Sequence, residues 1–337
     1  MNITVKELPS SRVEVSGELE AKRFDEYIAK TTRDFVAESE LAGFRKGKAP
    51  EKMVLEHIGE THLLQTSAEN ALKELWPSVL EDNHIEAIGP AEFHLLKLAR
   101  GNNLVWQAAI TVLPKVGLPD YRDIAKKINA KKENAPVEVL SKEVDETLAY
   151  IQKARTPEEA TPPPLDDAYA KAVGNFPSLE ALKDSIRDGI RSEKEEKGKE
   201  AHRLKIIDEI ANAALIDIPS LMIDAEREKM LHELKGSIAD MGLKWEDYLL
   251  HLKKTESDLK KEWGDAARRR VRTGLALREI ARKENINPAD EEIQAQVERI
   301  LRPYSDDDRK NIDQSRVKDY AYGIVRNEKV FQLLESQ

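Results

Sequence analysis

Residues 43–50, GFRKGKAP, place two glycines, three cations, a phenyl ring and a proline within eight positions. A Walker-type phosphate loop needs glycines five positions apart, then Lys and a Mg-binding hydroxyl, between a strand and a helix. Gly43 and Gly47 stand one position too close, Ala49 replaces the hydroxyl, and the preceding periodicity is helical. The nucleotide reading fails on all three points. Two readings remain. In one, the stretch is a turn between helices, with Gly43 as a left-handed cap and Pro50 restarting the helix. In the other it is a docking tip: Arg45, Lys46 and Lys48 face an acidic or phosphate-bearing partner, and Phe44 supplies an apolar anchor. The turn accounts for Gly43 and Pro50 but gives Phe44 no core to enter.

Other constellations carry less. The seven histidines are scattered, and His57 and His62 are five positions apart, whereas a helical zinc pair needs four. Acidic pairs such as Asp166–Asp167 and the run SDDDRK read as helix caps or turns rather than acid–base pairs. No metal, cofactor or catalytic residue is predicted. Met222, Met230 and Met241 are three of only five methionines and fall in one helical region. Methionine suits adaptable apolar surfaces, and it equally fills interhelical core.

Composition narrows the classes. The chain is 35% charged, against roughly 25% for typical globular chains, and has mean hydropathy −0.59. Its formal net charge of −9 argues against a dedicated nucleic-acid binder, whose affinity comes mainly from neutralising phosphates. A basic patch would have to be small and well placed. No stretch approaches the ~18 apolar residues of a membrane span. The start, MNITVKELPSSRVEV, shows no secretory pattern. There is no cysteine, so disulfides and thiolate sites are excluded. A cytoplasmic location without membrane association is expected.

The elements that must hold these residues follow from periodicity. Ile3 and Val5, then Val13, Val15 and Leu19, alternate about a Pro9–Ser11 turn and predict two strands. Phe24, Tyr27, Ile28, Thr31 and Phe35 form a helical stripe expected to stop near Gly43. Pro50 opens the next helix, and Leu63 to Val79 continue an apolar face with a bend at Pro77. Residues 91–112 read as a hairpin about Gly101–Asn103. Residues 1–115 are therefore expected as one α+β domain. The segment 116–164 reads as an extended linker with one capped helix (VEVLSKEVDETLAYIQKAR) and a Pro-rich spacer, TPEEATPPP. Residues 165–337 are expected to be helical. Within them RSEKEEKGKEAHR reads as a solvated helix face, Ser220 as a helix cap, and Thr255 with Asp258 as the capping box of one helix carrying Leu259 to Ile280.

GFRKGKAP in this α+β context resembles the signature of the trigger factor family, bacterial ribosome-associated chaperones. The pattern is Gly-Phe-Arg-x-Gly followed shortly by Pro, matched by Gly43, Phe44, Arg45, Gly47 and Pro50. VEVLSKEVDETL and ANAALIDIPSLMIDAEREKM extend the similarity over nearly the whole chain. The resemblance implies an extended architecture: an α+β ribosome-binding domain, and a helical C-terminal domain with arms that cradle unfolded clients. It implies contact of Phe44, Arg45 and Lys46, shaped by the glycines and Pro50, with the large ribosomal subunit beside the tunnel exit. Unfolded or nascent polypeptides are the other partner, with Met222, Met230 and Met241 as candidate client contacts; a dimer off the ribosome stays open. Family members usually carry an FK506-binding-type prolyl-isomerase domain after the linker helix. TPEEATPPP cannot house even a domain of ~50 residues, so that domain and its activity are expected to be absent.

Overall fold

A computed structural model describes residues 2–131, 137–157 and 161–337, apart from the side chain of Asp306. In chain order the elements are β1 (Asn2–Leu8), β2 (Arg12–Leu19), α1 (Ala21–Glu38), α2 (Glu51–Ile58), α3 (Glu60–Asp82), β3 (Glu92–Lys97), β4 (Leu104–Thr111) and β5 (Val116–Gly117). The helices α4 (Tyr121–Asn129), α5 (Ser141–Arg155), α6 (Asp167–Gly174) and α7 (Leu179–Ala213) follow, then β6 (Leu215–Ile216). The chain ends with α8 (Ser220–Asp240), α9 (Trp245–Leu252), α10 (Glu256–Glu262), α11 (Gly264–Lys283), α12 (Asp290–Leu301), α13 (Asp306–Asn311) and α14 (Gln314–Glu335). The fold class is as expected, an α+β N-terminal region followed by a predominantly helical one.

Contacts group the chain into two compact units, residues 1–117 with 215–274, and residues 118–214 with 275–337. In the first, an antiparallel sheet of order β1-β2-β4-β3 is covered on one face by α1 and α3. The predicted strand alternation is realised: in β2, Val13, Val15 and Leu19 point into the core, and in β4, Leu104, Trp106, Ala108 and Ile110 do. The α1 stripe packs beside Leu63, Leu64, Ala68, Ala71, Leu72, Leu75 and Val79 of α3. Pro77 lies within α3, which runs on to Asp82.

Residues 215–274, expected with the helical region, group with the first unit for identifiable reasons. β6 pairs antiparallel with β5, Ser10 N–H donates to Asp217 Oδ2 at 2.7 Å, and Ser11 Oγ donates to the Asp217 carbonyl at 2.6 Å. Two residues of strand are too short to leave a period in the sequence.

In the second unit, Tyr121 and Ala125 of α4 pack with Ile206, Ile207 and Ile210 of α7, with Ala276, Leu277 and Ile280 of α11, and with Val330 and Leu334 of α14. The expected extended linker is thus helical over α4. Asp120 caps that helix by accepting from the Asp123 N–H at 3.0 Å. Leu148 of α5, Tyr169 and Ala170 of α6 and Leu182 of α7 form a separate small core. The Pro-rich spacer falls partly at 158–160, outside the described residues; within its described part the Pro163 carbonyl accepts from Gln152 Nε2 at 2.7 Å. Asp166 and Asp167 are helix caps, accepting from the N–H groups of Tyr169 and Leu179.

Three local expectations need correction. Ser220 is the first residue of α8 and Pro219 its cap, with no side-chain capping bond. Thr255 and Asp258 do form a capping box, but for the short α10; Trp263 ends it and α11 begins at Gly264. The run RSEKEEKGKEAHR is solvated only in part. Its last residue, Arg203, is only 15% exposed in its side chain and forms two-pronged bonds to Glu328 and Glu335 of α14, all within 2.9 Å.

Candidate functional site

The tip GFRKGKAP is built from two successive tight turns. α1 stops at Glu38, five residues before Gly43, and Ser39 leaves it in an extended conformation while its hydroxyl donates to the Val36 carbonyl. Gly43 is therefore not the cap of α1. Instead Phe44 N–H donates to the Leu41 carbonyl at 3.0 Å across a turn whose third residue is Gly43, at φ +91°. Lys48 N–H donates to the Arg45 carbonyl at 3.0 Å across a second turn whose third residue is Gly47, at φ +69°. That third position takes a positive φ in a type II turn, which glycine alone adopts without strain. The spacing of four that ruled out a phosphate loop is the repeat of the turn.

The loop is anchored at both ends. Gly47 N–H donates to the Ser39 carbonyl at 3.0 Å, and a Cβ on Gly47 would sit 2.7 Å from the Ala37 carbonyl oxygen. Ala49 is buried, and the Pro50 carbonyl caps α2 by accepting from Met53 and Val54. Between these fixed points Phe44 is held outward, 39% exposed. Lys46 lies 3.7 Å from Glu40, with both side chains well exposed. Such a pair contributes at most ~1 kcal/mol. Arg45 and Lys48 make no ion pair among the described residues. A phenyl ring with two unengaged cations on a rigid double turn can bury the ring in a partner while pairing with its anions.

The three methionines do not form one patch of uniform exposure. Met222 and Met230 are half-buried on α8, and Met241, at the C-terminal end of that helix, is 70% exposed. The apolar surface that sequence reasoning missed lies next to it. None of the residues of α9, WEDYLLHL, is buried, Leu250 is 78% exposed, and Leu243 just before it is also exposed. Five apolar residues in eight after Gly242 were the available signal. The helix is held by one corner: Trp245 stacks on Tyr248, Lys235 lies 5.2 Å over the indole, and Trp245 Nε1 donates to Glu256 at 2.8 Å. Lys235 also bonds Glu256 at 2.6 Å and, with the indole, holds its carboxyl below the usual range. His62 stacks on Phe35, and among the described residues no group of three or more His, Asp or Glu side chains is placed to hold a metal ion. No described helix is long and apolar enough to cross a membrane.

Comparison with known proteins identifies the family. The N-terminal model of the bacterial trigger factor protein matches residues 1–151, and the C-terminal model matches residues 178–335. The chain belongs to the trigger factor family. The trigger factor of Carboxydothermus hydrogenoformans is 26% identical, over 100% of this chain and 99% of the relative. That of Caldicellulosiruptor saccharolyticus is 23% identical, over 98% and 95%. A solved trigger factor chaperone, studied for promiscuous substrate recognition in folding and assembly, shares the fold with TM-score 0.59 at 17% identity, each chain fully covered. The first of these alignments spans 429 positions against 337 residues here, so 429 − 337 = 92 of its positions have no residue of this chain opposite them. No isomerase-domain model matches.

Proposed function

We propose that this trigger factor is an ATP-independent cytoplasmic chaperone that docks on the large ribosomal subunit beside the tunnel exit and shields emerging, unfolded chains. The observation that carries the reading is the exposed ring of Phe44, held between two glycine turns with Arg45 and Lys48 left unpaired among the described residues. Gly43, Gly47 and Pro50 shape the tip; Phe44, Arg45, Lys46 and Lys48 make the contact. Docking raises the effective concentration of the chaperone at the emerging chain. Exposed apolar groups then cover hydrophobic segments by many weak contacts, and the client leaves as it buries its own apolar surface. Met222, Met230 and Met241 belong to that surface, extended by Leu243 and Leu250 of the α9 region. Off the ribosome a dimer would cover the same groups.

The proposed activity is holding, not catalysis. The isomerase domain usual in the family has no counterpart here, and α6 packs on α5 and α7 where the chain resumes. The test is the refolding of an aggregation-prone protein without nucleotide, run beside a proline-limited refolding assay. Suppressed aggregation with an unchanged slow phase is expected; an accelerated slow phase would overturn the non-enzymatic reading, and undiminished aggregation the chaperone reading.

A further inference from the structure

The first unit carries a second unpaired cationic surface. α11 reads GDAARRRVRTGLALREIARK, with seven cations against two acids, in a chain of net charge −9. Elsewhere arginines are typically engaged, as in Arg12 with Glu92, Arg100 with Glu60 and Arg122 with Glu284. On α11, Arg270, its side chain half-exposed, bonds Glu233 at 2.8 Å and Glu226 at 3.4 Å on α8, which raises its pKa. Its neighbours do not follow it. Arg268 and Arg269 are exposed and Arg272 half-buried, and none of the three has a hydrogen bond or ion pair among the described residues.

Arg268 and Arg272 are one turn apart, Arg269 and Arg272 likewise, so three guanidiniums share one stripe about 6 Å long. Like charges at this spacing repel. The one carboxylate within reach along the helix is Asp265, a turn N-terminal of Arg268 and Arg269, which leaves the stripe with excess positive charge. The nearby acids of α8 are taken by Arg270.

The surroundings decide what the stripe fits. α11 contains no aromatic residue, and none of its large apolar side chains is exposed. A surface for unfolded protein needs apolar contact beside charge, and one for single-stranded nucleic acid needs rings on which bases stack. Neither is present. What remains is guanidinium against a regular array of phosphates, the sequence-independent contact that proteins make with a duplex backbone. We propose that Arg268, Arg269 and Arg272 form a second foothold, for the phosphate backbone of double-helical RNA. The choice of RNA rests on the ribosome-docking reading, since the same unit carries the tip; the charge chemistry does not.

The test is a fluorescence-anisotropy titration of the full chain against a labelled RNA duplex at several salt concentrations. Binding in the non-specific range, Kd roughly 10⁻⁴–10⁻⁶ M, is expected, with a steep salt dependence. Arg268→Gln/Arg269→Gln/Arg272→Gln should weaken it at least about tenfold at low salt and flatten the log–log salt slope by about 2–3. Arg268→Lys/Arg269→Lys/Arg272→Lys should keep the slope, which separates lost charge from a damaged fold. Phe44→Ala/Arg45→Ala/Lys46→Ala should lose ribosome pelleting yet keep duplex affinity within about twofold, so failure of the tip and failure of the stripe are told apart. No binding by the wild type, no effect of the glutamine variant, or loss of duplex binding in the tip variant alone would overturn the proposal. So would polyglutamate competing as well as unlabelled RNA, which would assign the stripe to acidic polypeptide.

Discussion

The backbone N–H of Gly47 donates to the carbonyl of Ser39 at 3.0 Å, binding the middle of the basic tip to the end of α1. Gly47→Ala meets two obstacles, a positive φ and an approach of 2.7 Å to the Ala37 carbonyl oxygen. Because the obstacle is backbone, it cannot rotate away. Roughly 1–3 kcal/mol of local strain is expected, which distorts the tip without touching Phe44, Arg45 or Lys46. Ribosome affinity should fall about tenfold or more, at ~1.4 kcal/mol per decade, with aggregation suppression unchanged. Gly43→Ala, where nothing lies within 4 Å, should cost less.

Gly17 faces Trp106 across the β2–β4 ladder, and a Cβ there would lie 2.2 Å from the indole. The ring is buried and wedged edge-on between Trp76 and Phe93, at centroid distances of 6.0 and 6.1 Å. Gly17→Ala should destabilise the first unit by about 1–3 kcal/mol. It should be seen as an earlier thermal transition and a changed near-ultraviolet dichroism of the tryptophans.

Arg203 holds α14 on α7. Its bonds lower the pKa of both Glu328 and Glu335, and theirs raise that of Arg203. Since the folded-state carboxyl values lie below the unfolded ones, this stabilisation is present at neutral pH. It is lost as pH falls below about 4.3 and through the depressed values. Arg203→Met leaves two partly buried carboxylates unpaired and should cost about 2 kcal/mol at pH 7. Hydrogen exchange of α14 amides should speed up in the variant at neutral pH. The difference from wild type should shrink in acid.

The α9 surface gives a separate test. Leu243→Ser/Leu250→Ser removes apolar area that is exposed, so thermal stability should stay within about 0.5 kcal/mol. Suppression of client aggregation should nevertheless weaken severalfold, with ribosome pelleting intact.

The periodic elements were legible in the sequence because each buries one face: the Val13–Leu19 alternation, the Phe24–Phe35 stripe and the hairpin about Gly101. The tip's residue types were legible too, but not its construction. Two glycines four apart look like a helix cap and a spare; only the bonds from Phe44 to Leu41 and from Lys48 to Arg45 show two turns. The local sequence around Arg203 reads as solvated because its neighbours are charged, while its partners lie 125 and 132 residues away. Over α4 the prolines before Asp120 suggest an extended run, although Asp120 and Asp123 carry the cap. In each case the information lay in a pairing that local pattern does not contain.

The central claim is that the Phe44 tip tethers an otherwise acidic chain to the ribosome. Co-sedimentation of wild type and Phe44→Ala/Arg45→Ala/Lys46→Ala with purified ribosomes, beside an aggregation assay on the same preparations, tests it most directly. The variant is expected to stay in the supernatant while its holding activity is largely retained. Equal pelleting of the two proteins would contradict it.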